Sequence, residues 1–326
     1  QLANLKGQVI LLDFWTYSCV NCIRTFPFLK NWHSKYSDHG LVIIGVHTPE
    51  FQFEHQLNNL KQAIFEHGIS WPVVQDNSRM TWKAYRNLYW PTKYIIDHNG
   101  IIRYTHFGEG KYEETEEWIR TLLIEAGADL SHETEARTNS QESDQAVMNN
   151  QTTDITSELY AGYERACDFL SNLFSNSAID DATYCQSQDM AVRYRDPGLH
   201  LKHKMYLEGT WFAGNEGLKH AKQTNDYEEY ILLRFSATNV NAVLASEGSL
   251  PVEVRITLDG NHLTGDNKGE DVTIKPNGES YIRVTYPRMY NILEKETHGD
   301  HKLKLSTTSS DLVLYSFTFG IDDDDR

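Results

Sequence analysis

Residues 9–15, VILLDFW, form a short apolar run broken by one acid, and the chain then changes period. From Cys19 the apolar side chains Ile23, Phe26, Leu29, Trp32 and Tyr36 recur at spacings of three and four, until Gly40 stops the pattern. A continuous apolar run of this length fits a strand buried on both faces, and the new spacing fits an amphipathic helix. The chain must therefore leave a central strand, turn tightly through WTYS and enter a helix whose first turn carries Cys19 and Cys22.

The same alternation continues. LVIIGV (41–46) predicts a second buried strand, and Phe53, Leu57, Leu60 and Ile64 a helix ending near Gly68. WPVVQD predicts a third strand and MTWKAYRNL a short helix. TKYIID and IIRYTHF predict two strands joined at His98-Asn99-Gly100, and YEETEEWIRTLLIEAG a closing helix with acids in its first turn. Residues 1–130 thus predict one α/β domain. Residues 131–157 hold no aromatic residue and few aliphatics, which predicts a flexible linker. Beyond it come short alternating runs such as YILLRFSA, PVEVRITLDG and LVLYSFTFG, punctuated by Asp259-Gly260 and Asn277-Gly278. That texture predicts an all-β sandwich over 158–320, followed by an acidic tail at 321–326.

The 46 acidic residues exceed the 30 basic ones for a formal charge of −16, which argues against a nucleic-acid or anionic-lipid partner bound through a basic patch. No apolar run approaches the length that crosses a bilayer, and the N-terminal residues are not those of a signal peptide. The expectation is a soluble part of a longer protein whose targeting segment lies outside this sequence.

Four cysteines, at 19, 22, 167 and 185, are too few to scaffold 326 residues. Cys167 and Cys185 either close a structural disulfide or are two buried thiols. Cys19 and Cys22 carry the chemistry. A strand that delivers Cys19 to the start of a helix puts its sulfur near unpaired backbone N–H groups and the positive end of the helix dipole, a setting that favours thiolate. Cys22, on the same face but further in, is placed to attack a mixed disulfide formed at Cys19. A zinc site needs four ligands, and His33 does not complete one. No metal and no cofactor is expected beyond a redox-active Cys19–Cys22 disulfide.

LLDFWTYSCVNCIRTFP resembles the signature of the thioredoxin superfamily, and Pro27 is placed as in the thioredoxin-like reductases of cytochrome c maturation. VIIGVHTPEFQFE, YRNLYWPTKYIID, FGEGKY, ELYAGYERACDF, PRMYNIL and LYSFTFG extend the resemblance to the C-terminal soluble part of DipZ-type proteins. The resemblance implies a thioredoxin-like domain followed by a jelly-roll sandwich similar to carbohydrate-binding modules. It also implies an extracytoplasmic location, disulfide-containing protein substrates and electrons from a membrane CcdA-like domain. Residue by residue, it implies that Asp13 is a buried acid handling the proton of the inner cysteine. Trp90-Pro91 takes the place of a cis proline beside the nucleophile, with the Trp90 backbone pairing with substrate. Glu50, in the loop after the second strand, is a weaker second acid. The chain departs from the thioredoxin pattern at Ser18, where tryptophan is common, and at Val20-Asn21 between the cysteines; those residues set the potential and hence the direction of exchange.

Two other readings compete. Thr16-Tyr17-Ser18-Cys19 resembles the TxxC of peroxiredoxins, in which the threonine hydroxyl supports peroxide at the thiolate, although Leu12 replaces that family's proline. Alternatively the sandwich is the functional half and binds carbohydrate through exposed aromatics such as Trp211 and Tyr206.

Overall fold

The computed structural model describes residues 2–133, 154–167, 178–181 and 183–320. The chain divides into two compact units, Gln1–Asn149 and Asn150–Arg326. Most of the expected linker (134–153) and the expected tail (321–326) lie outside the described residues.

The first unit is built on five strands: β1 (Val9–Trp15), β2 (Leu41–His47), β3 (Val73–Gln75), β4 (Thr92–Ile96) and β5 (Ile102–Phe107), in the order β3-β2-β1-β4-β5. β1, β2 and β3 are parallel, whereas β4 and β5 are antiparallel to their neighbours. Helices α1 (Val20–Tyr36), α2 (Leu57–Glu66), α3 (Met80–Ala84) and α4 (Tyr112–Glu125) complete it. The central strand β1 is buried along its whole length because both faces are covered. Val9, Leu11 and Trp15 join Cys22, Phe26, Leu29 and Ile119 on one face, while Ile10, Leu12 and Phe14 join Val46, Trp82 and Tyr94 on the other. Side chains two apart on a strand share a face, so Asp13 points toward the layer that holds α1 and Cys22.

Among its described residues the second unit is all β apart from α5 (Tyr163–Ala166) and one 3-10 turn. Its strands are β6 (Leu159–Tyr160), β7 (Ala191–Tyr194), β8 (Lys204–Ala213), β9 (Leu218–His220), β10 (Tyr230–Ser246), β11 (Val252–Leu258), β12 (Asn261–His262), β13 (Val272–Ile274), β14 (Ser280–Val284), β15 (Arg288–Thr307) and β16 (Leu312–Gly320). β10 and β15 pair along most of their length with register shifts near Ala237–Asn241, where β-bulges bend them. The first part of β10 pairs with β8 and the second with β16. β9 links β16 back to β8, so these pairings close a ring around one apolar core. Cys167 and Cys185 are joined by a disulfide, with Cα atoms 5.6 Å apart, and pack against that core. The unit begins before residue 158: Thr156 is buried, its N–H donates to the Ser236 carbonyl, and its hydroxyl oxygen accepts from the Ser236 N–H.

Trp211 and Tyr206 are not exposed platforms. Trp211 is fully buried, donates Nε1–H to the Glu208 carbonyl and packs against His220. Tyr206 is covered by the segment before β8: His200 lies 4.6 Å from its ring, and its hydroxyl donates to Asp180 while accepting from Leu201 N–H. Trp211 shares the core-facing side of β8 with Met205, Leu207 and Ala213, whereas Tyr206 lies on the opposite face and is buried there by the covering segment.

Candidate active site

Cys19 is the N-cap of α1, partly exposed, with extended backbone, and its Sγ accepts the N–H of Cys22 at 3.3 Å. Cys22 is buried one turn further in. Both are free thiols. Burial pushes the Cys22 thiol well above its ordinary range, and the nearby sulfur of Cys19 pushes it the same way. The two cysteines are thus asymmetric: one meets solvent at a helix start, and the other must lose its proton inside the protein.

Asp13 is fully buried on β1, and neither carboxylate oxygen has a hydrogen-bond partner. Burial raises its pKa to about 6 against the opposing pull of Lys93. Sequence reasoning passed over Lys93, which lies directly opposite Asp13 on β4 and is also fully buried.

Behind the WTYSC loop sits a second buried group. Glu54 Oε1 accepts from the hydroxyls of Thr16 at 2.5 Å and Ser18 at 2.6 Å. Its Oε2 accepts from the backbone N–H groups of Glu50 at 2.5 Å and Phe51 at 3.0 Å. Burial, followed by repulsion from Glu50, raises the Glu54 pKa to about 7 despite these donors. His47 closes the cluster: its Nε2 is 3.4 Å from Thr16 Oγ1, and its ring stacks on Tyr17 and meets Trp15 edge-on. Burial lowers its pKa to about 3, so it is neutral at ordinary pH.

This corrects two expectations. The buried second acid is Glu54, not Glu50; the 3-10 turn Gln52–His55 aims Glu54 inward, and Glu50 contributes a backbone donor. The Thr16 hydroxyl, expected in the peroxidase reading to support peroxide at Cys19, is fully buried and donates its hydrogen bond to Glu54.

The Trp90–Pro91 peptide is cis and leads into β4. Trp90 donates Nε1–H to the Thr48 carbonyl at 3.1 Å, with its ring against Trp82 and under the Arg79 guanidinium. His33 lies against Trp71, and no group of three or more metal-ligating side chains occurs among the described residues.

A buried acid under a helix-starting CxxC pair, on this sheet order, is the arrangement of a thioredoxin-like domain. The chain belongs to the family marked by the thioredoxin like C-terminal domain, which matches residues 156–320, while the AhpC/TSA family matches residues 1–105. It is 48% identical over 125 residues to Protein DipZ of Mycobacterium tuberculosis, a match covering 38% of this chain and 18% of DipZ. It is 25% identical over 122 residues to the thiol-disulfide oxidoreductase ResA of Bacillus cereus, covering 37% of this chain and 68% of ResA. Among solved structures, a thiol-disulfide isomerase from Corynebacterium glutamicum matches with 25% identity and a TM-score of 0.36, over 38% of this chain and 85% of that one. The match therefore spans under a fifth of the length of DipZ.

Proposed function

We propose that the chain reduces disulfides of partner proteins through the Cys19/Cys22 pair. The observation that carries this reading is the asymmetry of the two thiols, with Cys19 open at the helix start and Cys22 buried within 3.3 Å (backbone N–H to sulfur) of it. Cys19 attacks the substrate disulfide, and Cys22 then attacks Cys19 to release the reduced protein. Asp13 is the base for the Cys22 proton, since a carboxyl with a pKa of about 6 is mostly ionised at neutral pH yet still binds a proton readily. An extended substrate segment pairs with the Trp90 backbone beside Pro91, and the exposed Leu88, Tyr89 and Phe107 offer apolar surface to it.

Electrons come from a membrane CcdA-like domain and the site faces outside the cytoplasm; this part of the reading rests on the similarity to DipZ. Among the described residues, no helix is long and apolar enough to cross a membrane. Carbohydrate binding by the second unit loses its support with the burial of Trp211 and Tyr206.

Peroxide reduction at Cys19 is the second reading, favoured by the AhpC/TSA match. Against it stands the Thr16 hydroxyl, already donated to Glu54. Reduction of insulin by the dithiothreitol-driven chain tests the primary reading: the wild type accelerates it and Cys19→Ser does not. Equal rates for the two would overturn it.

A further inference from the structure

The pairing of β1 gives Asp13 two cross-strand neighbours. On β2 the neighbour is Gly45, which has no side chain, and a Cβ there would come within 2.8 Å of Trp15 Nε1. On β4 it is Lys93. Residues directly opposite in an antiparallel pair share a face with Cβ atoms roughly 4.5–5.5 Å apart. Lys93 therefore points into the same layer as Asp13 and Cys22. It is fully buried, its Nζ has no hydrogen-bond partner, and Nζ lies 5.8 Å from the centroid of the Tyr112 ring.

A buried, unpartnered amine beside a buried, unpartnered carboxyl is costly unless the two act on one another. The charged and titratable groups around Lys93 are Asp13 from β1, Cys19 at the N-cap of α1 and Cys22 within it, His106 directly opposite Lys93 on β5, Glu109 in the following loop and Tyr112 at the start of α4. Glu109 is engaged by Arg24, and the His106 ring by the Glu109 carbonyl. Burial pulls the Lys93 pKa down, while Asp13 first and then Cys22 hold it up.

We infer that Lys93 is a positioning residue of disulfide exchange: held opposite Asp13 across β1 and β4, its amine keeps the Asp13 carboxyl ionised and so sets the pH above which Cys22 can close on Cys19. The inference rests on the proposed exchange reaction. In that step Cys22 gives its thiol proton to the Asp13 carboxylate, and the sulfur electron pair forms the bond to Cys19 Sγ. The bond between Cys19 and the substrate sulfur breaks, its electron pair leaves on that sulfur, and the leaving thiolate takes a proton from solvent. The dithiol is oxidised by two electrons as the substrate disulfide is reduced by two.

The test uses the reduced full chain and dithiobis(nitrobenzoate). Attack by Cys19 releases one nitrothiolate, and closure by Cys22 releases the second, whose rate is followed against pH. Lys93→Met should move the midpoint of the second phase upward by about one pH unit or more, since a close opposite charge lowers a carboxyl pKa by about 1–3 units. Lys93→Arg should leave it near the wild-type value, and Lys93→Met should add no shift in an Asp13→Asn background. The carboxyl of Asp13, followed by carbon-13 NMR, should titrate at higher pH in Lys93→Met, a readout independent of exchange. An unchanged midpoint and an unchanged Asp13 titration in folded Lys93→Met would overturn the role of Lys93. Absence of any second release in the wild type would instead overturn the exchange reaction itself.

Discussion

The Ser18 hydroxyl donates to Glu54 Oε1 at 2.6 Å, tying the residue before the nucleophile to a buried carboxyl 36 positions away. Thr16 makes the parallel bond, so Glu54 holds both ends of the turn that aims Cys19. The Glu54 pKa rises from 4.5 to about 7, so the folded state binds its proton more tightly than the unfolded chain does. The stability this supplies is whole below about pH 4.5 and is lost as the pH rises through about 7. Glu54→Gln, which mimics the protonated acid, should remove that slope, on the order of 3 kcal/mol between the two limits. Below about pH 4.5, where the wild-type acid is protonated, it should cost about 1–3 kcal/mol, because its amide nitrogen cannot accept from the N–H groups of Glu50 and Phe51, and that cost should shrink or reverse as the pH rises through about 7. Urea unfolding from pH 4.5 to 7.5, followed by tryptophan fluorescence, checks both; every tryptophan except Trp211 lies in the first unit.

The two thiols should react unequally. In the folded, reduced chain, iodoacetamide at pH 7 should label Cys19 and leave Cys22 unmodified, since Cys22 is buried and burial raises its pKa. Peptide mapping after a short pulse reads the ratio. Equal labelling would remove the distinction between attacking and resolving thiol.

Thr16→Val separates exchange from peroxide chemistry. It deletes one of four hydrogen bonds to Glu54 in a buried setting, for a loss of about 1–2 kcal/mol in stability. Disulfide reduction should stay within a few-fold of the wild type. A large selective loss of hydrogen peroxide turnover would instead give Thr16 the catalytic role that its bond to Glu54 argues against.

The disulfide between Cys167 and Cys185 spans a sequence separation of 18. Replacing both with serine should destabilise the second unit by about 3 kcal/mol on the chain-entropy account, while leaving protein disulfide reduction unchanged. Calorimetry of the full chain, with activity measured in parallel, reads both.

The strand, loop and helix around Cys19 were legible because local periodicity dictates them: the apolar run ends and the three–four spacing begins within a few residues. Asp13 stood out as the one acid in that apolar strand, and its role was implied by the thioredoxin resemblance. Lys93 was not, because within TKYIID it has the form of an ordinary outward-facing strand residue, and only the covering of both sheet faces buries it. Glu54 and His47 reach the cysteine loop from 36 and 31 residues away through tertiary packing, which no local spacing encodes. Trp211 and Tyr206 misled because both faces of β8 are covered: Trp211 by the core, and Tyr206 by the segment that holds His200 and by Asp180, neither of which the local alternation shows.

The central claim is that Cys22 resolves a mixed disulfide held on Cys19. The most direct measurement is the fate of the Cys22→Ser chain exposed to a protein disulfide, and separately to hydrogen peroxide, with products read by intact-mass spectrometry. Exchange predicts a stable covalent adduct between Cys19 and the substrate protein, dissociated by dithiothreitol. A chain that captures no protein and instead accumulates sulfenic acid on Cys19 with peroxide would contradict the account.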